Sequence, residues 1–346
     1  MRVFDCDYHA GAHPRVLAAL SAANAEDHAT YGYDAHSQRA EALLRGLTKA
    51  DVEVHFIAGG TLCNLTLIRA ALKVYEGVFA AVEGHIATHE TGAIEATGHK
   101  VIALPSGRGA MAGKLCAADI RAAMEDDLND PRNEHVVKPG MVYISQPTEL
   151  GTLYQEEELR ALADVCRKYG LLLYCDGARL ASAIGHFGAG HYALLAECCD
   201  AFSIGGTKCG ALFGEALVVR GEWLRRGLRH VIKQSGARMA KGYLIACQFE
   251  ALLEDGLYEQ IGRHCNALAM QIRKAFEAKG HPFLSDSVSN QQFVLLPEEA
   301  AKKISQCSSA LLWKQYPDGR RCLRLITDFQ HSQADLDALT SVIAAL

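Results

Sequence analysis

The sequence has no run of about eighteen apolar residues, so no segment reads as a membrane span. Its opening, MRVFDCDYHAGAHP, lacks an apolar core behind a basic start, which predicts a protein that stays in the cytoplasm. Neither sign of charge dominates: 35 Lys and Arg stand against 40 Asp and Glu, a net charge of −5. That balance removes the electrostatic case for a dedicated nucleic-acid binder. The twelve cysteines include no CxxC pair, which argues against a structural zinc site; in a reducing compartment they form no disulfide framework either. No metal site is expected. GxGxxG and GxxxxGK(S/T) are both missing, so neither a dinucleotide fingerprint nor a P-loop is supported. What is present is 346 residues, 49% of them apolar and 22% charged, enough for about two globular domains and a buried site.

Short apolar runs alternate with helical stretches through the first two thirds of the chain. The runs predict strands at Val54–Ala58, Val78–Val82, Lys100–Leu104, Met141–Ser145, Leu171–Cys175, Ala201–Ile204 and Ala216–Arg220. Helices are expected between them, as at Leu62–Leu72 and Glu156–Lys168. This alternation is the pattern of an α/β fold with a mostly parallel seven-stranded sheet covered on both faces. The polar stretch Asp126–Pro139, with two prolines, reads as a loop. After residue 240, Leu257, Ile261, Cys265, Leu268, Ile272 and Phe276 form one apolar stripe on a long helix, stopped at Gly280–Pro282. Strands near Gln292–Leu296 and Arg321–Thr327 and a helix from about Ser332 complete a smaller α+β unit. The expected division is therefore a large α/β domain over 1–240 and a small C-terminal domain over 241–346.

Ligands of parallel sheets gather at the carboxyl ends of strands, and four such ends carry unusual residues. The first strand runs into Ala58-Gly59-Gly60-Thr61-Leu62-Cys63-Asn64, where two glycines and a helix N-terminus favour an anion. Thr61 could add a hydroxyl donor and cap the helix; the plainer reading is ordinary turn punctuation. The second ends in Glu83-Gly84-His85, with His89 and Glu90 close behind. His85 could be a base or a flat surface under an aromatic ring, but fifteen histidines make any one a weak signal. The fifth ends in Asp176-Gly177-Ala178-Arg179, where a nearly buried acid wants a cationic partner and Arg179 has the fork for a carboxylate. A structural Asp176–Arg179 pair is the alternative. The sixth ends in Gly205-Gly206-Thr207-Lys208, and partial desolvation there lowers a lysine pKa and makes its amine a nucleophile toward a carbonyl.

Together these fit one cofactor. Pyridoxal 5'-phosphate needs an anion cradle, a stacking partner, an acid beside its pyridine nitrogen and a Schiff-base lysine. Gly60 and Thr61, His85, Asp176 and Lys208 supply them in that order.

With these residues in view, the chain resembles the threonine aldolase/β-eliminating lyase family of fold-type I pyridoxal-phosphate enzymes, from Asp5-Cys6-Asp7-Tyr8 to Arg324-Leu325-Ile326-Thr327. The most specific stretches are Ala58 to Asn64, Gly84-His85 through Glu90, Asp176-Gly177-Ala178-Arg179-Leu180 and Gly206-Thr207-Lys208. The resemblance implies a large cofactor domain and a small C-terminal domain. It implies cofactor contacts from Gly60, Thr61, Asn64, His85, Asp176, Arg179, Thr207, Lys208, Lys233 and Lys241, and substrate contacts from Cys6, Tyr31, Glu90, Arg179 and Arg324. Tyr31, Lys233 and Lys241 resemble segments contributed by a neighbouring subunit, which implies a homodimer or homotetramer with shared sites. Two positions depart from the family pattern. Cys6 stands where Ser is common, and Gln146-Pro147-Thr148-Glu149 stands where many members carry a histidine tied to the substrate β-hydroxyl. The activity implied is retro-aldol cleavage of a β-hydroxy-α-amino acid such as L-threonine or L-allo-threonine, through an external aldimine, with Lys208, His85, Asp176 and Glu149 as catalytic residues. β-Elimination or transamination of another amino acid is the alternative, because a fold does not fix the reaction.

Overall fold

Seven strands form the larger sheet of the computed structural model, which describes residues 3–346. They are β1 Val52–Ile57, β2 Glu76–Ala81, β3 Val101–Leu104, β4 Lys138–Ser145, β5 Leu172–Asp176, β6 Ala201–Gly205 and β7 Glu215–Arg220. Their order is β1-β7-β6-β5-β4-β2-β3, with β7 antiparallel to both its neighbours and every other pair parallel. Each expected strand is present, with its ends within three residues of those read from the sequence.

These strands are apolar throughout because helices cover both faces of the sheet. On β7, Ala216 and Val218 enter one core while Leu217 and Val219 enter the other. The helix Gly60–Ala71 seals the second face, packing Cys63, Leu67 and Ile68 against Ile57 and Leu217. The helix Glu156–Tyr169 lies on the first face, where Leu159, Leu162, Ala163 and Cys166 are buried. A capping box between Gln155 and Glu158 starts it, three glutamates favour its positive end, and left-handed Gly170 stops it.

Three expectations are corrected. The first helix after β1 begins at Gly60, not Leu62, and its cap is Gly59 with no side-chain hydrogen bond, so Thr61 lies inside the first turn and does not cap it. The stretch Asp126–Pro139 is not one loop: a helix over Ala117–Asn129 runs into it and β4 starts at Lys138. Pro139 is tolerated because β4 pairs with β5 only from Met141 onward. The second sheet has three strands rather than two: β8 Gln291–Leu296, β9 Leu311–Gln315 and β10 Arg321–Ile326, in the antiparallel order β8-β10-β9. β9 is an edge strand with Leu311 and Leu312 both exposed, so it has no apolar alternation to read.

The helix Leu257–Glu277 carries the expected stripe and contributes to two hydrophobic cores. Leu257, Ile261 and Cys265 enter the core of the large sheet, while Leu268, Ile272 and Phe276 pack with Val294, Leu296, Leu323 and Leu336. Phe4 completes that second core. The helix Tyr243–Leu253 is buried in the first core, against the helix Ala35–Thr48.

At the carboxyl edge of the large sheet, the exits of β5 and β6 converge. A Cβ at Gly177 would stand 2.0 Å from the Ser203 carbonyl, and one at Gly205 would stand 2.2 Å from the Ala178 carbonyl. Only glycine fits at either position. The Gly205 N–H donates to the Gly177 carbonyl at 2.9 Å, which draws the turn after β6 toward the end of β5.

Candidate active site

A cavity of about 280 Å³ opens where these strand ends meet. Gly59, Gly60, Thr61, Asn64, His85, Glu90, Glu149, Asp176, Arg179, Thr207 and Lys208 line it. A second cavity of about 320 Å³ shares His85, Glu149, Arg179 and Lys208 in its wall and adds Tyr8, His89, Trp313 and Arg324. The residues named for the first cavity come from five separate segments and converge on one small-ligand-sized space.

Asp176, the last residue of β5, is buried at the inner wall. Its Oδ2 accepts from Tyr143 Oη at 2.7 Å and Asn64 Nδ2 at 3.0 Å, and its Oδ1 accepts from the Ala178 N–H at 2.8 Å. Burial acts to raise its pKa, but the nearby His85 charge and these three donors outweigh it and hold the carboxyl below the usual carboxylate range. Asp176 is therefore an anion fixed in place. Asn64 is fully committed, since it also donates to Glu90 Oε1 at 2.8 Å and accepts from Tyr174 Oη at 2.7 Å.

The alternative reading, a structural Asp176–Arg179 pair, does not hold. Arg179 instead donates from Nε to Asp7 Oδ2 at 2.6 Å and from Nη2 to Asp7 Oδ1 at 3.0 Å. Asn290 Nδ2 donates to the same Asp7 Oδ2 at 3.0 Å. Burial works against both charges, yet each favours the other's ionised form: Asp7 is held below its ordinary value and Arg179 above it.

Lys208 follows Thr207 in the turn after β6 and reaches the cavity, so it keeps some accessible surface although closely surrounded. Crowding by protein atoms lowers its pKa, and the Arg179 charge lowers it further; Asp7, Asp176 and Glu215 oppose the shift. His85 starts a short helix over His85–Thr88, and its Nδ1 bonds Glu90 Oε1 at 2.7 Å. Glu149 Oε1 accepts from the His85 N–H and from Ser145 Oγ, both at 2.7 Å. Burial raises the Glu149 pKa, the Ser145 and His85 donors oppose this, and Asp176 adds to it. The loop after β4 therefore brings Glu149 both to the cavity and under the backbone of His85.

Arg324 projects from β10 into the outer cavity, with its guanidinium 5.4 Å from the Trp313 ring centroid. Its Nη2 donates to the Asp5 carbonyl at 3.1 Å, while its buried Nε has no hydrogen-bond partner among the described residues. Burial and the Arg179 charge lower its pKa. His89 also lines the outer cavity, its ring 5.5 Å from that of His85.

Four of the expected residues lie elsewhere within the single chain. Cys6 is buried near Tyr8 and lines neither cavity. Tyr31 and Lys233 meet each other instead, the ammonium 4.5 Å from the ring centroid, and Lys241 is exposed. Among the residues missed by sequence reasoning, Asp7 has no local signal for its pairing with Arg179, and Glu215 is an acid at the start of a buried strand, whereas Asp176 was marked by standing at a strand's carboxyl end.

Residues 4–299 match the beta-eliminating lyase family. The low specificity L-threonine aldolase of Pseudomonas aeruginosa is 30% identical over 87% of this chain and 86% of its own length. The enzyme of the same name from Pseudomonas sp. is 32% identical over 77% of this chain and 75% of its own. The Leishmania major threonine aldolase structure superposes with a TM-score of 0.93 at 39% identity, covering 100% of this chain and 99% of that one. The chain belongs to the beta-eliminating lyase family of pyridoxal-phosphate-dependent lyases and has their fold-type I architecture.

Proposed function

We propose that the protein uses pyridoxal 5'-phosphate to cleave the Cα–Cβ bond of β-hydroxy-α-amino acids, converting L-threonine or L-allo-threonine to glycine and acetaldehyde. The observation that carries this reading is the meeting of an open helix N-terminus, an ionised acid and a desolvated lysine in one cavity. A Cβ added at Gly59 or Gly60 would meet nothing within 4 Å, so the first turn of the helix Gly60–Ala71 presents its N–H groups to free space. Asp176 and Lys208 supply the fixed anion and the available amine. The residues fit the cofactor.

Gly60, Thr61 and Thr207 would hold the phosphate, His85 would lie against the ring, and Asp176 would keep a proton on the ring nitrogen. When bound, the cofactor supplies an electron-poor ring that takes up the electron pair of the broken bond. Lys208 offers an amine that loses its proton more readily than an exposed lysine, which suits it to attack a carbonyl and to carry protons at the substrate α-carbon. Arg324 is the better placed carboxylate anchor, because Asp7 already takes the Nε and Nη2 side of Arg179. That anchor would orient the substrate so that the bond to be broken stands across the ring plane. Glu149, a carboxylate whose pKa burial has raised, is suited to take the β-hydroxyl proton as the aldehyde leaves.

We extend the proposal to a homodimer or homotetramer in which Tyr31, Lys233 and Lys241 serve a neighbouring site. It is supported by their position: none of the three lines the cavity of its own chain.

A panel of β-hydroxy-α-amino acids with product identification tests the reaction. Glycine with an aldehyde supports aldol cleavage; a 2-oxo acid with ammonia would establish elimination instead.

A further inference from the structure

Glu215 is the most conspicuous buried polar group that the mechanism leaves unused. It is only 4% exposed, and its Oε2 has no hydrogen-bond partner among the described residues. Such a group is costly unless something satisfies it. Its place in the sheet is specific: β7 sets Glu215 opposite Ile57 on one side and opposite Gly205 on the other. It therefore sits between the two turns that frame the anion cradle, Gly59-Gly60-Thr61 after β1 and Thr207-Lys208 after β6, and it lines the same cavity. Its Oε1 accepts from Thr207 Oγ1 at 3.2 Å, and that hydroxyl in turn accepts from the Gly214 N–H at 3.1 Å. The carboxyl group is thus held through one oxygen, while the other is buried and unpartnered among the described residues.

We propose that Glu215 carries a proton in the cofactor-bound protein and donates it from Oε2 to the bound phosphate group. A carboxylate beside a phosphate would repel it, whereas a carboxylic acid provides a donor and satisfies the orphaned oxygen together. The titratable groups around it are Lys208 and Asp176 across the cavity, Cys63 from the helix Gly60–Ala71, Cys209 beside Lys208, and Tyr258 from the long helix. Burial raises the Glu215 carboxyl, Lys208 opposes and Asp176 adds to the shift, and the result is about 8. A phosphate dianion alongside raises it further. Binding above that pH therefore takes up a proton, and affinity for the phosphate group falls as pH rises.

This inference rests on the reading of the cavity as a pyridoxal-phosphate site. The test uses full-length protein freed of cofactor and pyridoxamine 5'-phosphate, whose amine cannot condense with Lys208. Titration calorimetry at pH 8.5, in buffers of different ionisation enthalpy, counts the protons exchanged. The expected difference between wild type and Glu215→Gln is roughly three quarters of a proton taken up by wild type. Pyridoxamine, lacking the phosphate, should show no such difference. Equal proton counts for wild type and Glu215→Gln would overturn the inference while leaving the cofactor reading intact, and absence of any pyridoxamine 5'-phosphate binding would overturn both. Zero net uptake by wild type with proton release by Glu215→Gln still supports it, since the difference between them is the readout. If Glu215→Gln fails to fold, uptake by wild type with the phosphate compound but not with pyridoxamine decides the matter in the same direction, and its absence overturns the inference.

Discussion

Arg179 and Asp7 form a two-point ion pair across 172 residues of sequence, Nε to Oδ2 at 2.6 Å and Nη2 to Oδ1 at 3.0 Å. The pair ties the N-terminal segment to the turn after β5, beside the lysine and acid of the site. It also commits Arg179, whereas the buried Nε of Arg324 has no hydrogen-bond partner among the described residues.

Asp7→Asn is expected to destabilise the fold by about 3–5 kcal/mol, because it leaves a buried guanidinium uncompensated. The folded-state pKa of Asp7 lies below its unfolded value of 3.8, since the Arg179 and Lys208 charges and two hydrogen bonds overcome the cost of burial. Its contribution is then fully present above about pH 4 and is lost as pH falls through the folded value. Urea unfolding at several pH values checks both points: the variant should be weaker at pH 7 and show a shallower acid-side loss.

Arg324→Lys should raise KM for the amino acid by about tenfold or more with a smaller change in kcat, since a lysine cannot present the same fork. Arg179→Lys should instead lower stability, because it breaks the two-point contact with Asp7. Steady-state kinetics and thermal unfolding of the two variants separate the roles. An unchanged KM in Arg324→Lys would contradict the carboxylate assignment.

Glu149→Gln should lower aldol cleavage by roughly 10²-fold or more and alter the preference between threonine and allo-threonine. The fold should survive, because the amide oxygen can still accept from the His85 N–H and Ser145. A base must be deprotonated to act, and burial sets this one above the ordinary 4.5. Activity of the wild type should therefore fall as pH drops through that raised value, and the limb should vanish in the variant. A pH–rate profile on both diastereomers measures this. If neither rate nor preference moves, Glu149 only supports the His85 backbone.

Asp176→Asn should keep the cofactor but lose most of the activity, since a neutral amide cannot hold a proton on a ring nitrogen. Absorbance spectra and turnover of the purified variant check it. An unchanged rate would reduce Asp176 to a partner of Asn64 and Tyr143.

Fully active protein at assay concentration should have a light-scattering mass of at least two chains, because Tyr31 and Lys233 sit away from the cavity of their own chain. A mass of one chain would contradict the shared-site proposal.

How much of this was legible in the sequence follows from where each signal sits. Asp176 and Lys208 could be found because each is a polar residue just past a hydrophobic strand, and parallel strands all deliver their carboxyl ends to one edge. Glu215 reaches that edge from the other direction: β7 is antiparallel, so its first residue, not its last, faces the cavity. Strand direction is not written in composition. Asp7 escaped because an ion pair over 172 residues depends on tertiary closure. β9 escaped because an exposed edge strand needs no apolar alternation.

The central claim is that this cavity carries the cofactor on Lys208, and borohydride reduction of the cofactor-loaded protein tests it most directly. Reduction makes a carbonyl–amine linkage permanent, and peptide mass spectrometry then locates it. The expected result is one pyridoxyl group per chain on the peptide containing Lys208, absent in Lys208→Ala together with turnover. A label on another lysine, or no label on catalytically active protein, would contradict it.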